Sequence, residues 1–206
     1  MKFIGINGGT FDPIHYGHLR PALEVQQRLG LEQVLFVPCY QPVHRNQPHV
    51  SAKQRCEMVE LAIANQPSFK LETYEIDQGG PSYMVQTLAA LKLRMPDDSL
   101  VLMMGTDAFV KFHKWNDWQG ILKLANIVVM HRPGEPVPMN CSSGKIYQTH
   151  RVTQLDKVSG QIVEAAVTQL DISSTLIREH IQRGDAVDYL LPSSVMAVIE
   201  KQGLYQ

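Results

Sequence analysis

Short apolar runs alternate with amphipathic stretches along most of the chain. Lys2–Asn7, Gln33–Val37, Phe69–Glu72, Ser99–Met104 and Ile127–Met130 have the length and bulk of buried strands. Ile162–Thr168 reads as a last strand with imperfect alternation. Between them lie predicted helices at about Gly17–Leu29, Ser51–Asn65, Met84–Arg94, Ser173–Arg183 and Pro192–Gln202. The first carries an apolar stripe of Leu19, Leu23, Val25 and Leu29, and Gly30 stands where a helix C-terminus wants a glycine. Ser51 is the expected N-cap of the second. Pro38–Val50 is a loop rich in Pro and His. Residues 133–160 are poor in pattern and read as a long, mobile connection.

Strands that alternate with helices predict an α/β chain with a doubly wound, mostly parallel sheet. The expected strand order is third, second, first, fourth, fifth. The carboxyl ends of the first and fourth strands then form one crevice, where such sheets bind ligands. Residues 1–206 read as a single domain, with the helices from about residue 173 packing on the sheet.

Composition narrows the function. The net charge is −1, with 44% hydrophobic and 19% charged residues, so nothing points to nucleic acid or to an anionic membrane as partner. No apolar stretch approaches a membrane span, and the N-terminal apolar run breaks at Asn7, too early for a signal peptide. Cys39, Cys56 and Cys141 are scattered and odd in number, as expected of a cytoplasmic protein. Phosphate binding, if present, must come from local arrangement.

Such an arrangement follows the first strand. Gly8-Gly9-Thr10-Phe11-Asp12-Pro13-Ile14-His15-Tyr16-Gly17-His18 reads as a glycine turn leading into a helix. Glycines let backbone N–H groups approach a phosphate, and a helix N-terminus favours negative charge. His15 and His18 add side-chain donors. Zinc is the weaker reading of the two histidines, because no third ligand has suitable spacing. A second cradle opens the helix at Ile172-Ser173-Ser174-Thr175-Leu176-Ile177-Arg178, with Arg178 one turn in. Pro42-Val43-His44-Arg45, Met104-Gly105-Thr106-Asp107 and His131-Arg132-Pro133-Gly134 follow other strands.

G-G-T-F-D-P-x-H-x-G-H resembles the signature of the H-x-G-H nucleotidyltransferases. With Pro81-Ser82-Tyr83, M-G-T-D, Trp115, R-P-G and I-S-S-T-x-I-R, the resemblance extends over nearly the whole chain to the bacterial nicotinate-nucleotide adenylyltransferase family. It implies a Rossmann-like nucleotidyltransferase fold and adenylyl transfer from ATP to nicotinate mononucleotide, giving deamido-NAD and pyrophosphate. Mg²⁺ would arrive with ATP, and the protein would supply no metal site. His15, His18 and Arg178 would be the catalytic group. Gly8, Gly9, Thr10, Phe11, Gly105, Asp107, Ser174 and Thr175 would bind ATP, with Asp107 on the ribose or adenine side. His44, Tyr83, Met84, Trp115, Asn116 and Arg132 would bind the mononucleotide. Trp115 would stack on the pyridine, and His44 and Arg132 would meet the phosphate. Two positions depart from the family pattern: Met84 stands where Thr is usual, and Asn116 where an aromatic residue is frequent. Nicotinamide mononucleotide or phosphopantetheine as acceptor is the nearest alternative, and a non-catalytic nucleotide-binding module is another.

Overall fold

The computed structural model describes residues 1–43 and 47–206. His44, expected at the mononucleotide phosphate, and Arg45 beside it therefore lie outside the described residues. Among those described, a six-stranded, all-parallel sheet has β1 (Phe3–Gly9), β2 (Gln33–Pro38), β4 (Phe69–Leu71), β6 (Ser99–Gly105), β7 (Ala125–His131) and β8 (Ile162–Ala166) in the order β4-β2-β1-β6-β7-β8. The predicted order holds, with β8 added beyond the fifth strand. A minor parallel pair joins β3 (Gln41–Pro42) to β5 (Pro81–Ser82).

Both faces of the sheet are covered, which is why its strands are continuous apolar runs. Ile4 and Ile6 of β1, with Leu100, Leu102 and Met104 of β6, point to one face. There they meet α4 (Met84–Arg94), α5 (Thr106–Val110), α6 (Trp118–Leu124) and α7 (Ser142–His150) through Leu88, Phe109, Ile121 and Ile146. The intervening positions Val101 and Met103 point to the other face. They meet α1 (Tyr16–Leu29), α2 (Ala52–Ile63), α8 (Ser174–Arg183) and α9 (Ser193–Gln202) through Val25, Val59, Ile177 and Val195. Burial of each such side chain contributes roughly 1.5–3 kcal/mol. Gly5 lies on this second face, where a Cβ would stand 2.9 Å from Leu31 Cδ1.

Three expectations need correction. The connection over 133–160 is not patternless: it contains α7, with Ile146 and Tyr147 buried. Its buried face is short and half of it is Ser143 and Gly144, so hydrophobic periodicity hides it. The short helices α3 (Tyr74–Gln78), α5 and α6, and a 3-10 turn at Phe112–Lys114, also fell below a readable length. Finally, the glycines after the first strand are not a turn: β1 runs through Gly8 and Gly9. The left-handed residue of the loop is Phe11, at φ 52°, held there by burial beside Phe36.

Candidate active site

The loop from Thr10 to Ile14 sits above the carboxyl end of β1, and two helix N-termini converge on it. α1 begins at Tyr16 with His15 as its N-cap. α8 begins at Ser174 with Ser173 as its N-cap, whose hydroxyl accepts from the Leu176 N–H at 3.1 Å. Ser174 Oγ donates to the Pro13 carbonyl at 2.9 Å, fixing the start of α8 to the loop. The two helices approach so closely that a Cβ on Gly17 would stand 3.1 Å from the Ile172 carbonyl oxygen and 2.9 Å from the His15 ring. First-turn N–H groups lack intrahelical acceptors and carry partial positive charge, so two such ends at one loop favour negative charge there.

The histidines of the signature are locked together. Their ring centroids are 3.8 Å apart. His18 Nδ1 accepts from the His15 backbone N–H at 3.3 Å, which places the proton of a neutral His18 ring on Nε2. Phe11 packs edge-on against His18 at 5.1 Å. His15 is buried, its Nδ1 has no hydrogen-bond partner among the described residues, and burial lowers its pKa to about 4. At neutral pH it is therefore a neutral group. Fixed positive charge at the loop comes from two guanidiniums, Arg55 beneath Thr10 and Arg178 at Asp12. Arg178 Nη1 donates to the Asp12 carbonyl at 2.6 Å and its Nη2 to Thr175 Oγ1 at 3.2 Å.

The glycines serve close approach. A Cβ on Gly8 would stand 2.7 Å from Met84 Cε, and one on Gly9 would stand 2.8 Å from the Phe11 ring. Gly8 thus brings the first strand against the start of α4, whose N-cap is Tyr83. Thr10 is held from below: its carbonyl accepts from Arg55 Nη1 at 2.7 Å. On the neighbouring strand, Gly105 caps α5, and Asp107 is exposed in its first turn. Trp115 is half-buried, edge-on to Phe112 at 5.9 Å, and Asn116 beside it is exposed. Arg132 leaves the end of β7, with Nη2 4.0 Å from Asp171 Oδ1. The signature residues, Ser174, Thr175, Arg178 and Met84 are therefore linked by direct contacts, with Tyr83 next to Met84 as the N-cap of α4. Asp107 follows β6, Trp115 and Asn116 lie further along the same connection, and Arg132 follows β7.

Three positioning residues escaped the sequence reading. Asp12 is buried; its Oδ1 accepts from the Tyr205 hydroxyl at 2.8 Å and its Oδ2 from the His49 N–H at 2.8 Å. A carboxylate inside a phosphate loop must face away from the anion, and that was a usable signal. His49, although exposed, also brings its ring Nδ1 to 3.2 Å from Asp12 Oδ2. Arg55 is almost fully buried. It shares a helix face with Val59 and Ile63, an arginine on an apolar stripe, which was the other available signal.

Comparison with known proteins agrees with this geometry. The cytidylyltransferase-like family matches residues 6–180. A Hydrogenovibrio crunogenus protein named probable nicotinate-nucleotide adenylyltransferase is 63% identical over 205 residues, covering 100% of this chain and 98% of its own. A Methylococcus capsulatus protein of the same name is 42% identical, covering 98% of this chain and 99% of its own. Among solved structures, the Plasmodium falciparum nicotinic acid mononucleotide adenylyltransferase superposes with a TM-score of 0.73 in its complex with APC and 0.72 in its complex with NaAD. Each covers 100% of this chain and 98% of the other, at 17% and 18% identity, and so shares the fold. A full-length relationship at this identity makes the protein a member of the nicotinate-nucleotide adenylyltransferase family.

Proposed function

We propose that the chain transfers the adenylyl group of ATP to nicotinate mononucleotide, giving deamido-NAD and pyrophosphate, as a step of NAD biosynthesis. The convergence of α1 and α8 on the loop Thr10–Ile14, with Arg178 over it, carries this reading. The mononucleotide phosphate oxygen attacks the α-phosphorus of ATP in line, and the bond to the pyrophosphate oxygen breaks. The attacking phosphate is already ionised, so no general base is needed. Catalysis is positioning and charge neutralisation. Two unit charges about 4 Å apart repel by about 4 kcal/mol at an effective dielectric near 20. His18, as the Nε2–H tautomer, donates to the oxygens where charge develops. Arg178, His15 and the N–H groups of Ser174 and Thr175 hold the β- and γ-phosphates. The backbone of Gly8, Gly9, Thr10 and Phe11 lines the path, and Gly105 and Asp107 meet the nucleoside.

Mg²⁺ enters on the triphosphate, where it shields phosphate charge. The chemistry of the donor set fits that role, because both Asp12 carboxylate oxygens already accept from Tyr205 and His49. Among the described residues no group of three or more His, Cys, Asp or Glu could hold a metal. On the acceptor side, Tyr83, Met84 and Asn116 offer backbone N–H groups to the pyridine acid, Trp115 stacks on its ring, and Arg132 and His44 meet the phosphate. Met84 preserves those backbone donors while removing a hydroxyl. The whole chain acts as one domain, with α8 and α9 seated on the sheet through Ile177 and Val195. We place it in the cytoplasm: no disulfide forms among the described residues, and no described helix is long and apolar enough to cross a membrane.

Pyrophosphate release from ATP, measured with a panel of acceptors, tests the proposal. Nicotinate mononucleotide should exceed nicotinamide mononucleotide in kcat/KM by at least about tenfold, since an amide NH₂ facing donors leaves polar hydrogens unpaired. Comparable efficiencies, or a preference for phosphopantetheine, would overturn it.

A further inference from the structure

Beneath the start of α4 lies a buried carboxyl group that the reaction itself does not use. Glu75, on α3, is 6% exposed. Its Oε1 accepts from Thr87 Oγ1 at 2.6 Å, and its carboxyl also accepts from the Ser82 hydroxyl. Thr87 is 1% exposed and stands in the first turns of α4, and its N–H bonds the Tyr83 carbonyl at 3.3 Å. Ser82 Oγ accepts in turn from the Tyr40 N–H at 2.9 Å. The Tyr40 carbonyl, 3.4 Å from Arg55 Nη2, shares that guanidinium with the Thr10 carbonyl. A continuous hydrogen-bonded chain thus runs from Tyr83 through Thr87, Glu75, Ser82, Tyr40 and Arg55 to Thr10.

We propose that Glu75 is a positioning residue for acceptor specificity: with Thr87 it fixes the first turn of α4, whose N–H groups receive the pyridine acid. The inference rests on the acceptor reading above. The N–H groups of Met84 and Val85 have no acceptor within the helix, so they can be offered to a ligand. Their aim depends on the rotation of the turn about its axis. The turn has no side-chain N-cap, since Tyr83 makes no capping bond. Glu75 supplies the missing constraint from behind, through Thr87 and Ser82, one on each side of Tyr83. A carboxyl group suits the place because two hydroxyls must be accepted at once. Burial raises the Glu75 pKa, while both hydroxyls and Arg55 oppose that shift. The link through Arg55 to Thr10 sets the acceptor subsite in register with the loop that meets the α-phosphate.

The test is steady-state kinetics with both mononucleotides on four proteins: wild type, Thr87→Val, Thr87→Ser and Glu75→Gln. Thr87→Val keeps the shape and deletes the hydroxyl. It should raise KM for nicotinate mononucleotide and shrink the acid-over-amide ratio by about tenfold each, with ATP KM within about twofold, as expected where aligned donors discriminate. Thr87→Ser, which keeps the hydroxyl, should restore the ratio. Glu75→Gln should fall between, because one oxygen still accepts. Variants that melt with the wild type and keep its ratio would overturn the proposal, as would parallel losses for ATP and mononucleotide. If Thr87→Val does not fold, Glu75→Gln decides by the same criteria. A wild type with no acid preference would overturn the acceptor reading as well; an acid-selective wild type with unaffected variants would overturn the role of Glu75 alone.

Discussion

The Tyr205 hydroxyl donates a 2.8 Å hydrogen bond to Asp12 Oδ1 across 193 positions of sequence. Both side chains are buried. Tyr205 thereby props the Thr10–Ile14 loop from beneath, while Arg178 grips the Asp12 carbonyl from α8. Burial raises the Tyr205 pKa, and the Asp12 charge adds to the shift, so the phenol remains a donor throughout the physiological range.

Tyr205→Phe removes this donor and leaves a buried carboxylate oxygen unpaired. The expected cost is about 1–3 kcal/mol of stability. At about 2–4 °C per kcal/mol for a chain of this size, the melting temperature should fall by several degrees. Differential scanning calorimetry would measure it. An unchanged melting temperature would mean that Asp12 is satisfied without Tyr205.

His18→Ala tests the donor at the reaction centre. The His15 N–H holds His18 Nδ1 and so orients Nε2–H. Loss of one such donor typically lowers kcat by on the order of 10²–10³. Single-turnover formation of the dinucleotide should show that loss with little change in ATP KM. Near-normal turnover would remove His18 from the mechanism.

Arg178→Ala should weaken ATP more than the mononucleotide, because the guanidinium sits between Asp12 and Thr175 at the start of α8. Arg178→Lys should rescue only in part, since an ammonium lacks the planar fork that binds two oxygens. Binding titrations with each substrate would separate the two effects, and equal losses for both would contradict the placement of Arg178 at the triphosphate.

Much of the arrangement around the loop was legible in the sequence because its residues are local. The loop from Gly8 to His18 and the helix opening at Ser173 are each contiguous, and strand alternation alone brings their ends to one edge. The glycines were read for turn freedom. In fact Gly8 and Gly9 lie in β1 and are small because Met84 and Phe11 press against them. That reason belongs to tertiary contact and leaves no local pattern. Asp12 and Arg55 offered a local clue in their residue type alone, a carboxylate in the loop and an arginine on an apolar stripe; their partners, like that of Tyr205, lie 37 to 193 residues away, at His49, Thr10 and Asp12. α7 stayed hidden because half of its buried face is Ser143 and Gly144, which carry no hydrophobic signal beside Ile146 and Tyr147.

His15 supplies a pH signature with a definite sign. Burial lowers its pKa from the ordinary 6.5 to about 4. Between those values the unfolded ring holds a proton that the folded ring does not. The unfolded state then binds more protons, so this contribution to stability is complete above about pH 6.5 and is lost as pH falls toward 4. The full shift corresponds to roughly 3 kcal/mol. ATP should oppose it, because phosphate beside the ring favours the imidazolium. Binding near pH 5.5 should therefore take up a proton, and binding at pH 8 should not. Titration calorimetry in two buffers of different ionisation enthalpy reads the uptake directly. His15→Gln should flatten the stability profile between pH 6.5 and 4 and abolish most of the uptake. Identical heats in both buffers at pH 5.5 would place His15 out of reach of the phosphates and leave α8 and Arg178 as the triphosphate site.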